Sequence, residues 1–219
     1  MKEFKVDNKG SARLFSSSIL EQLTRTNFLF PIITYYIGAM LFILLAYFNK
    51  SIHFSAALWL VPLGWLLFTL VEYLVHRFVF HFHATTKNQL NVQYSIHGVH
   101  HEFPRDKERL VMPPVVSIIL ASGFYFLFVL FLDDYGMLFF SGFIAGYSSY
   151  LILHYAVHAL KPPKNFLKLF WKHHSLHHYD SVHSAFSVSL PLWDYLFGTL
   201  PKSTGKAKQE IENRLPDLN

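Results

Sequence analysis

The sequence predicts an all-α integral membrane protein, in which four transmembrane helices carry a cytosolic helical cap that holds a histidine-rich di-metal site. Three observations carry that expectation. Four apolar runs, at residues 28–48, 54–75, 110–132 and 137–157, are each long enough to cross a hydrocarbon core of about 30 Å at roughly 1.5 Å per residue. Charged residues make up only 15% of the chain, well under the share of about a quarter usual in soluble domains. Most of the 14 histidines gather at the ends of those runs or between them.

Residues 1–27 are polar and mixed in charge, with no short apolar core leading to a small-residue cleavage site, so no signal peptide is expected. They form a cytosolic lead-in, and Ala12–Leu23 has the spacing of a short amphipathic helix on the membrane interface. Span one follows, with Pro31 near its start, where a missing N–H costs little. A tight turn at residues 49–53 returns the chain through span two. Glu72 stands near the end of that span, where a carboxylate does not face lipid. It lies four residues before His76 on the same helical face. It can bond the far nitrogen of His76, or serve as an ordinary partner between helices.

Residues 76–109 are polar and contain Lys87, Arg105, Lys107 and Arg109. Pro113 and Pro114 mark the opening of span three, and a second turn at residues 133–136 leads to span four. Lys161, Lys164, Lys168 and Lys172 come directly after it. Of 19 Lys and Arg, only Lys50 falls in an outer loop, in keeping with positive-inside bias. Both termini and every histidine cluster are therefore expected on the cytosolic face, of a bacterial inner membrane or an ER-type membrane. Residues 166–171 and 186–200 are apolar but too short to span, and are expected to lie on the interface and roof the site. The organisation expected is a lead-in at 1–27, a membrane domain at 28–200 and a polar tail at 201–219.

The chain has no cysteine, which excludes disulfides, iron–sulfur clusters and thiolate zinc sites. Its net charge of +5 is scattered beside apolar spans and forms no basic face, so no nucleic-acid partner is expected. Histidine near a bilayer is costly without a partner, and so many at ligand spacing point to metal. The spacings are H-x4-H (His76, His81), H-x2-HH (His97, His100, His101), H-x3-H (His154, His158) and H-x2-HH (His174, His177, His178). On a helix, i and i+4 project about 40° apart, and i and i+3 about 60° apart on the other side. One H-x2-HH helix can therefore serve two adjacent ions. His76 and His81 point differently on a regular helix. They suit separate ions, or one ion across a distorted turn.

Ten rings suffice for two ions with about five donors each. Imidazole accepts Fe, Zn, Cu or Ni, and ligand type alone does not select among them. Two adjacent redox ions near lipid point to oxygen activation. His53, His83, His173 and His183 stand outside the four spacings, and supporting or solvent roles are expected for them. A metal transporter would place its ligands near the bilayer midplane, which this pattern does not. A non-catalytic scaffold that stores metal is a further alternative, distinguished by oxygen consumption.

The motifs Glu72-x3-His76-Arg77-Phe78-x-Phe80-His81, His97-Gly98-x-His100-His101, His154-Tyr155-x2-His158 and His174-x2-His177-His178-Tyr179 resemble the fatty acid hydroxylase / sterol desaturase superfamily. Its members similar to this chain are the fatty acid 2-hydroxylases acting on sphingolipid or ceramide acyl chains. Trp193-Asp194-x2-Phe197-Gly198-Thr199 also fits, and the resemblance covers roughly residues 28–200. It implies two iron ions held by the ten histidines, O2 as co-substrate, a lipid acyl substrate and an external electron source. Zinc can replace iron in isolated protein. Eukaryotic members often carry a fused cytochrome b5 domain. The 27 residues before span one cannot hold one, so a separate cytochrome b5- or ferredoxin-like donor is expected, and the compactness suggests a bacterial member. Tyr150, Tyr155 and Phe186 are the expected liners of an apolar groove between spans two and four. Sterol or lipid desaturases and carotenoid hydroxylases share the same histidine pattern and are the alternative.

Overall fold

The computed structural model describes residues 6–201, so all but the first residue of the expected tail lies outside the described residues. Among them every regular element is helical. Three stretches, Leu29–Phe48, Phe54–Phe80 and Lys107–Ala159, are long and apolar enough to cross a bilayer. The first two contain α2 (Leu29–Phe48) and α3 (Ala57–Val75). The third holds two helices, α6 (Pro114–Leu132) and α7 (Gly136–Ala159), joined by a one-turn 3-10 segment at Asp133–Tyr135. Phe128 packs on Phe139, and Phe124, one turn earlier, packs on Phe143, so α6 and α7 run antiparallel. The remaining helices are short: α1 (Ser18–Leu23), α4 (Lys87–Gln93), α5 (Val99–Glu102), α8 (Lys168–Tyr179) and α9 (Leu192–Leu196).

The core sits on α7, which buries thirteen residues where α6 buries two. Tyr35 and Ala39 of α2, Phe68 of α3, Phe128 of α6, and Phe140, Phe143 and Ile144 of α7 form one cluster. The opposite faces of α2, α3 and α6 expose Leu41, Leu44, Trp59, Ile119, Leu130 and Phe131. Helices apolar on both faces are at equilibrium only in an apolar solvent. Two polar side chains inside the bundle bond across helices: Tyr35 donates to Ser117 Oγ at 2.9 Å, and Trp65 Nε1 donates to Ser149 Oγ at 3.3 Å.

Glycine decides how close α3 and α7 come. A Cβ at Gly142 would lie 1.9 Å from the Val61 carbonyl oxygen, and one at Gly64 would lie 2.0 Å from that of Phe139. The two backbones therefore touch, as small residues allow between membrane helices. This contact closes the groove expected between spans two and four at that level.

Residues 6–27 differ from the expected lead-in. The helix expected over Ala12–Leu23 is confined to Ser18–Leu23, because Glu21 Oε2 accepts the amides of Leu14 (2.9 Å) and Phe15 (3.1 Å) and holds them outside it. Buried Arg109 pairs with Glu21 and donates to the Ala12 carbonyl at 2.6 Å. Asp7 N donates to the Glu102 carbonyl at 2.7 Å, and Tyr179 donates to Asn8 at 3.0 Å. The segment is strapped across the short helices, while Ile19, Leu20 and Leu23 stay exposed on its far side.

Gly142→Val forces α3 and α7 apart and should lower the thermal midpoint in detergent, at a cost of about 1–3 kcal/mol or more. Gly123→Ala, where an added Cβ meets nothing within 4 Å, should leave the midpoint unchanged or slightly raised.

Candidate metal centre

The histidine clusters stand where α3 and α7 leave the apolar region. α3 continues into a π-helical turn at His76–Phe80, and the His81 amide donates to the His76 carbonyl at 3.1 Å, one residue further back than in an α-helix. The widened turn swings the two rings together, with Nε2 atoms 3.2 Å apart. Of the two readings left open for H-x4-H, the structure shows one group across a distorted turn. A second π-helical turn, Tyr94–Gly98, carries His97 and runs directly into α5 with His100 and His101.

Ten buried rings converge in two neighbouring groups. In the first, His76, His81, His97, His101 and His177 lie with their ligand nitrogens within 4.8 Å of one another. Nε2 separations there are 3.0 Å (His76–His97), 3.1 Å (His97–His101, His81–His177) and 3.3 Å (His81–His101). In the second, His100, His154, His158 and His174 meet the same criterion. His154 lies 3.1 Å from His100, and His158 lies 2.8 Å from His174. His178 joins this group at 3.1 Å from His174 Nε2. The groups abut, since the His178 ring stacks on that of His101 at 4.3 Å.

The assignment of rings is reciprocal. The pairs His76/His81 and His97/His101 go to the first group, and the pairs His154/His158 and His174/His178 to the second. Each H-x2-HH segment then sends its remaining ring across. His100 crosses to the second group and His177 to the first.

These nitrogens suit cations. A neutral imidazole has one N–H, which can serve one neighbour, whereas Nε2 of His76, His81, His97, His101 and His174 each faces two or more. Nδ1–H of His76, His154 and His177 donates to the carbonyls of Phe186, Leu110 (3.0 Å) and Ser184 (2.7 Å). That tautomer leaves Nε2 as a bare lone pair aimed at its group. Donors bound at about 2.0–2.1 Å to one ion lie roughly 3–4 Å apart, which is the spacing within each group. Desolvation, reinforced by neighbouring rings, holds the pKa of His97, His100, His174, His177 and His178 well below the usual histidine value. The rings are thus neutral, as ligands must be.

Other expected residues fall as follows. Glu72 does not reach His76. Its two oxygens accept the amides of Val188 (2.8 Å) and Ser189 (3.0 Å), because the Phe186 carbonyl already occupies the far nitrogen of His76. Phe186 packs against His76, His81 and His177, and Phe80 stacks on His97 at 4.8 Å. Tyr150 stacks on His154 at 5.3 Å, while Tyr155 stacks on Phe28 at 3.6 Å. His53, His83 and His183 are exposed. A cavity of about 440 Å³ opens beside His81, lined by Arg77, Phe78, Phe82, His83, His183, Phe186 and Thr199. Spacing alone missed the three carbonyls that orient rings, and also Asp194 with its partner His173. An acid inside the apolar 186–200 stretch was the available signal.

A family model described as fatty acid hydroxylase matches residues 61–199. The ceramide very long chain fatty acid hydroxylase scs7 of Schizosaccharomyces pombe is 38% identical over 195 residues, covering 87% of this chain and 55% of that protein. Fatty acid 2-hydroxylase of Rattus norvegicus is 38% identical over 67% of this chain and 40% of its own length. Dihydroceramide fatty acyl 2-hydroxylase FAH2 of Arabidopsis thaliana is 33% identical over 90% of this chain and 83% of its own. The chain spans about half the length of the yeast and rat relatives. A solved structure of full-length scs7p, in which only the hydroxylase domain is visible, superposes with a TM-score of 0.80 at 34% identity. It covers 89% of this chain and 75% of that one.

Because the folded protein keeps its rings neutral while the unfolded chain takes up protons near pH 6.5, stability is complete above about pH 6.5 and falls as pH drops below it. In metal-free protein the thermal midpoint should stay level above that value and decline below it with a slope of more than one proton. A level profile down to about pH 5 would contradict the neutral, buried state of the rings.

Proposed function

Because the chain belongs to the fatty acid hydroxylase family, we propose that it is an O2-dependent enzyme that hydroxylates C2 of a lipid acyl chain, as the names of its relatives describe for them. The observation that carries this reading is the pair of five-histidine groups side by side at the ends of apolar helices. In it, the group with His76 and His177 holds one iron ion, and the group with His100 and His154 holds the other. The same imidazoles also accept zinc. When bound, the two ions supply the redox capacity to reduce O2 with electrons from a separate cytochrome b5- or ferredoxin-like donor. One oxygen atom replaces a hydrogen on C2 as a hydroxyl. The other leaves as water, with two electrons and two protons from the donor.

The protein's own residues do the rest. Carbonyls of Ser184, Phe186 and Leu110 keep three rings in the tautomer that binds metal. Phe80 and Phe186 shield the first group from water. The acyl chain approaches through the cavity beside His81, past Phe78, Phe82 and Phe186, since the α3–α7 contact leaves it no room at the level of Gly142. The catalytic unit runs from residue 28 to 200, and the family match falls inside it.

We also propose four crossings, one for each of α2, α3, α6 and α7, with both termini and the metal centre on the cytosolic face. Each of these helices has 19–24 residues, about 28–36 Å in length. The natural chain lacks cysteine, so single cysteines report cleanly. With cells or sealed vesicles, an impermeant thiol reagent should label Lys50→Cys from the outer side and Lys164→Cys only after the membrane is opened. The reverse pattern would invert the topology.

Mass spectrometry of lipids from cells with and without this chain should show acyl chains heavier by one oxygen atom, with fragmentation placing it on C2. Loss of two hydrogens in its place would reassign the chain as a desaturase. His100→Ala and His177→Ala should each lower activity and metal affinity by about 10–100-fold or more.

A further inference from the structure

The Trp193–Thr199 motif supplies no ring to either histidine group, yet it places a fully buried carboxylate beside one of them. Asp194 is saturated by four donors. Its Oδ1 accepts the Phe186 amide (2.9 Å) and the Thr199 hydroxyl (2.7 Å). Its Oδ2 accepts the Ser187 amide (2.8 Å) and His173 Nε2–H (2.9 Å). Glu72, reaching up from α3, takes the next two amides, Val188 and Ser189. Four successive N–H groups of one loop are therefore held by two buried carboxylates from different elements. The loop enters through Ala185 at φ 56°, a conformation costly for an alanine and kept only where surroundings impose it.

What this loop offers in the other direction gives the clamp a use. Its Ser184 and Phe186 carbonyls accept Nδ1–H of His177 and His76. Both rings belong to the first group. The second group receives nothing from the loop, since its carbonyl-held ring, His154, uses Leu110 on the other side of the site. Nδ1 of His100, His174 and His178 in the second group, and of His81 and His101 in the first, finds no hydrogen-bond partner among the described residues, so the loop's hold on the first group runs through His76 and His177.

We propose that Asp194 and Glu72 are positioning residues for one of the two metal ions. By clamping the loop at residues 184–189 they orient His76 and His177, and so govern the first group alone. A carboxylate that merely stabilised the fold would weaken both ions alike or neither. Asp194→Asn preserves shape but turns an NH2 toward donors, and so releases part of the clamp.

The inference rests on the two-ion reading above, and the experiment separates the two. The full chain, purified in detergent and reloaded with Fe(II) under anaerobic conditions, is assayed for iron per chain by elemental analysis. Its cobalt-loaded form is compared by visible absorption. Two ions in the unaltered chain support the reading, and none or one would sink that reading itself. Given two, Asp194→Asn is expected to fall to one, with one of two sets of cobalt bands lost and the elution volume unchanged. Adding His158→Ala should remove the remaining ion, whereas adding His81→Ala should not. If Asp194→Asn aggregates, Thr199→Val, which removes a single donor to the carboxylate, should weaken one ion by about 10–100-fold and spare the other. Retention of both ions at full affinity, or equal loss of both, would overturn the proposal.

Discussion

Ten uncharged imidazoles pointing their lone pairs at two small volumes is the constraint on which this structure turns. Left to themselves these nitrogens repel, and each ring is buried where protonation is penalised. Cations relieve both problems at once, because they accept the lone pairs and stand where protons are refused. The rest of the molecule holds the rings at this density. α7 is packed on three sides and carries His154 and His158 on its last turns. α3 lies in backbone contact with it and carries His76. The α3–α7 pair is thus the rigid base from which the two groups are measured.

Backbone carbonyls play a larger part in orientation than side chains do. Two rings of the first group and one of the second are fixed through Nδ1 by a main-chain oxygen, and those oxygens lie in irregular segments between helices. Irregular backbone can donate and accept in directions a helix cannot, because helical carbonyls are already used. The cost is that such a segment needs its own anchors, and here they are carboxylates taken out of water. Hydrogen bonds from several amides offset that desolvation. Asp194 lies below its ordinary pKa for this reason: burial opposes the charge, but His173, Thr199 and the Ser187 amide outweigh it.

Much of this was legible in the residues. Apolar runs placed the long helices within a few residues, and histidine spacing picked out the ten rings that converge. Spacing also showed that an H-x2-HH segment can face two ways. What it could not give was the pairing across H-x4-H, because periodicity assumes 3.6 residues per turn and the chain inserts a π-helical turn at His76–Phe80. Glu72 was marked as a residue with a task, either toward His76 or as a partner between elements, and the sequence did not say which. The loop it binds lies 116 residues away, and no local pattern encodes that proximity. The strapping of residues 6–27 was invisible for the same reason, since Arg109 and Glu21 meet only through the tertiary fold.

The crossing of His100 and His177 between the groups has a thermodynamic consequence. α5 and α8 each deliver rings to both groups, so a shift of either helix disturbs both. Free energy that fixes α5 or α8 is thereby shared by both groups, whereas the loop at residues 184–189 serves the first alone.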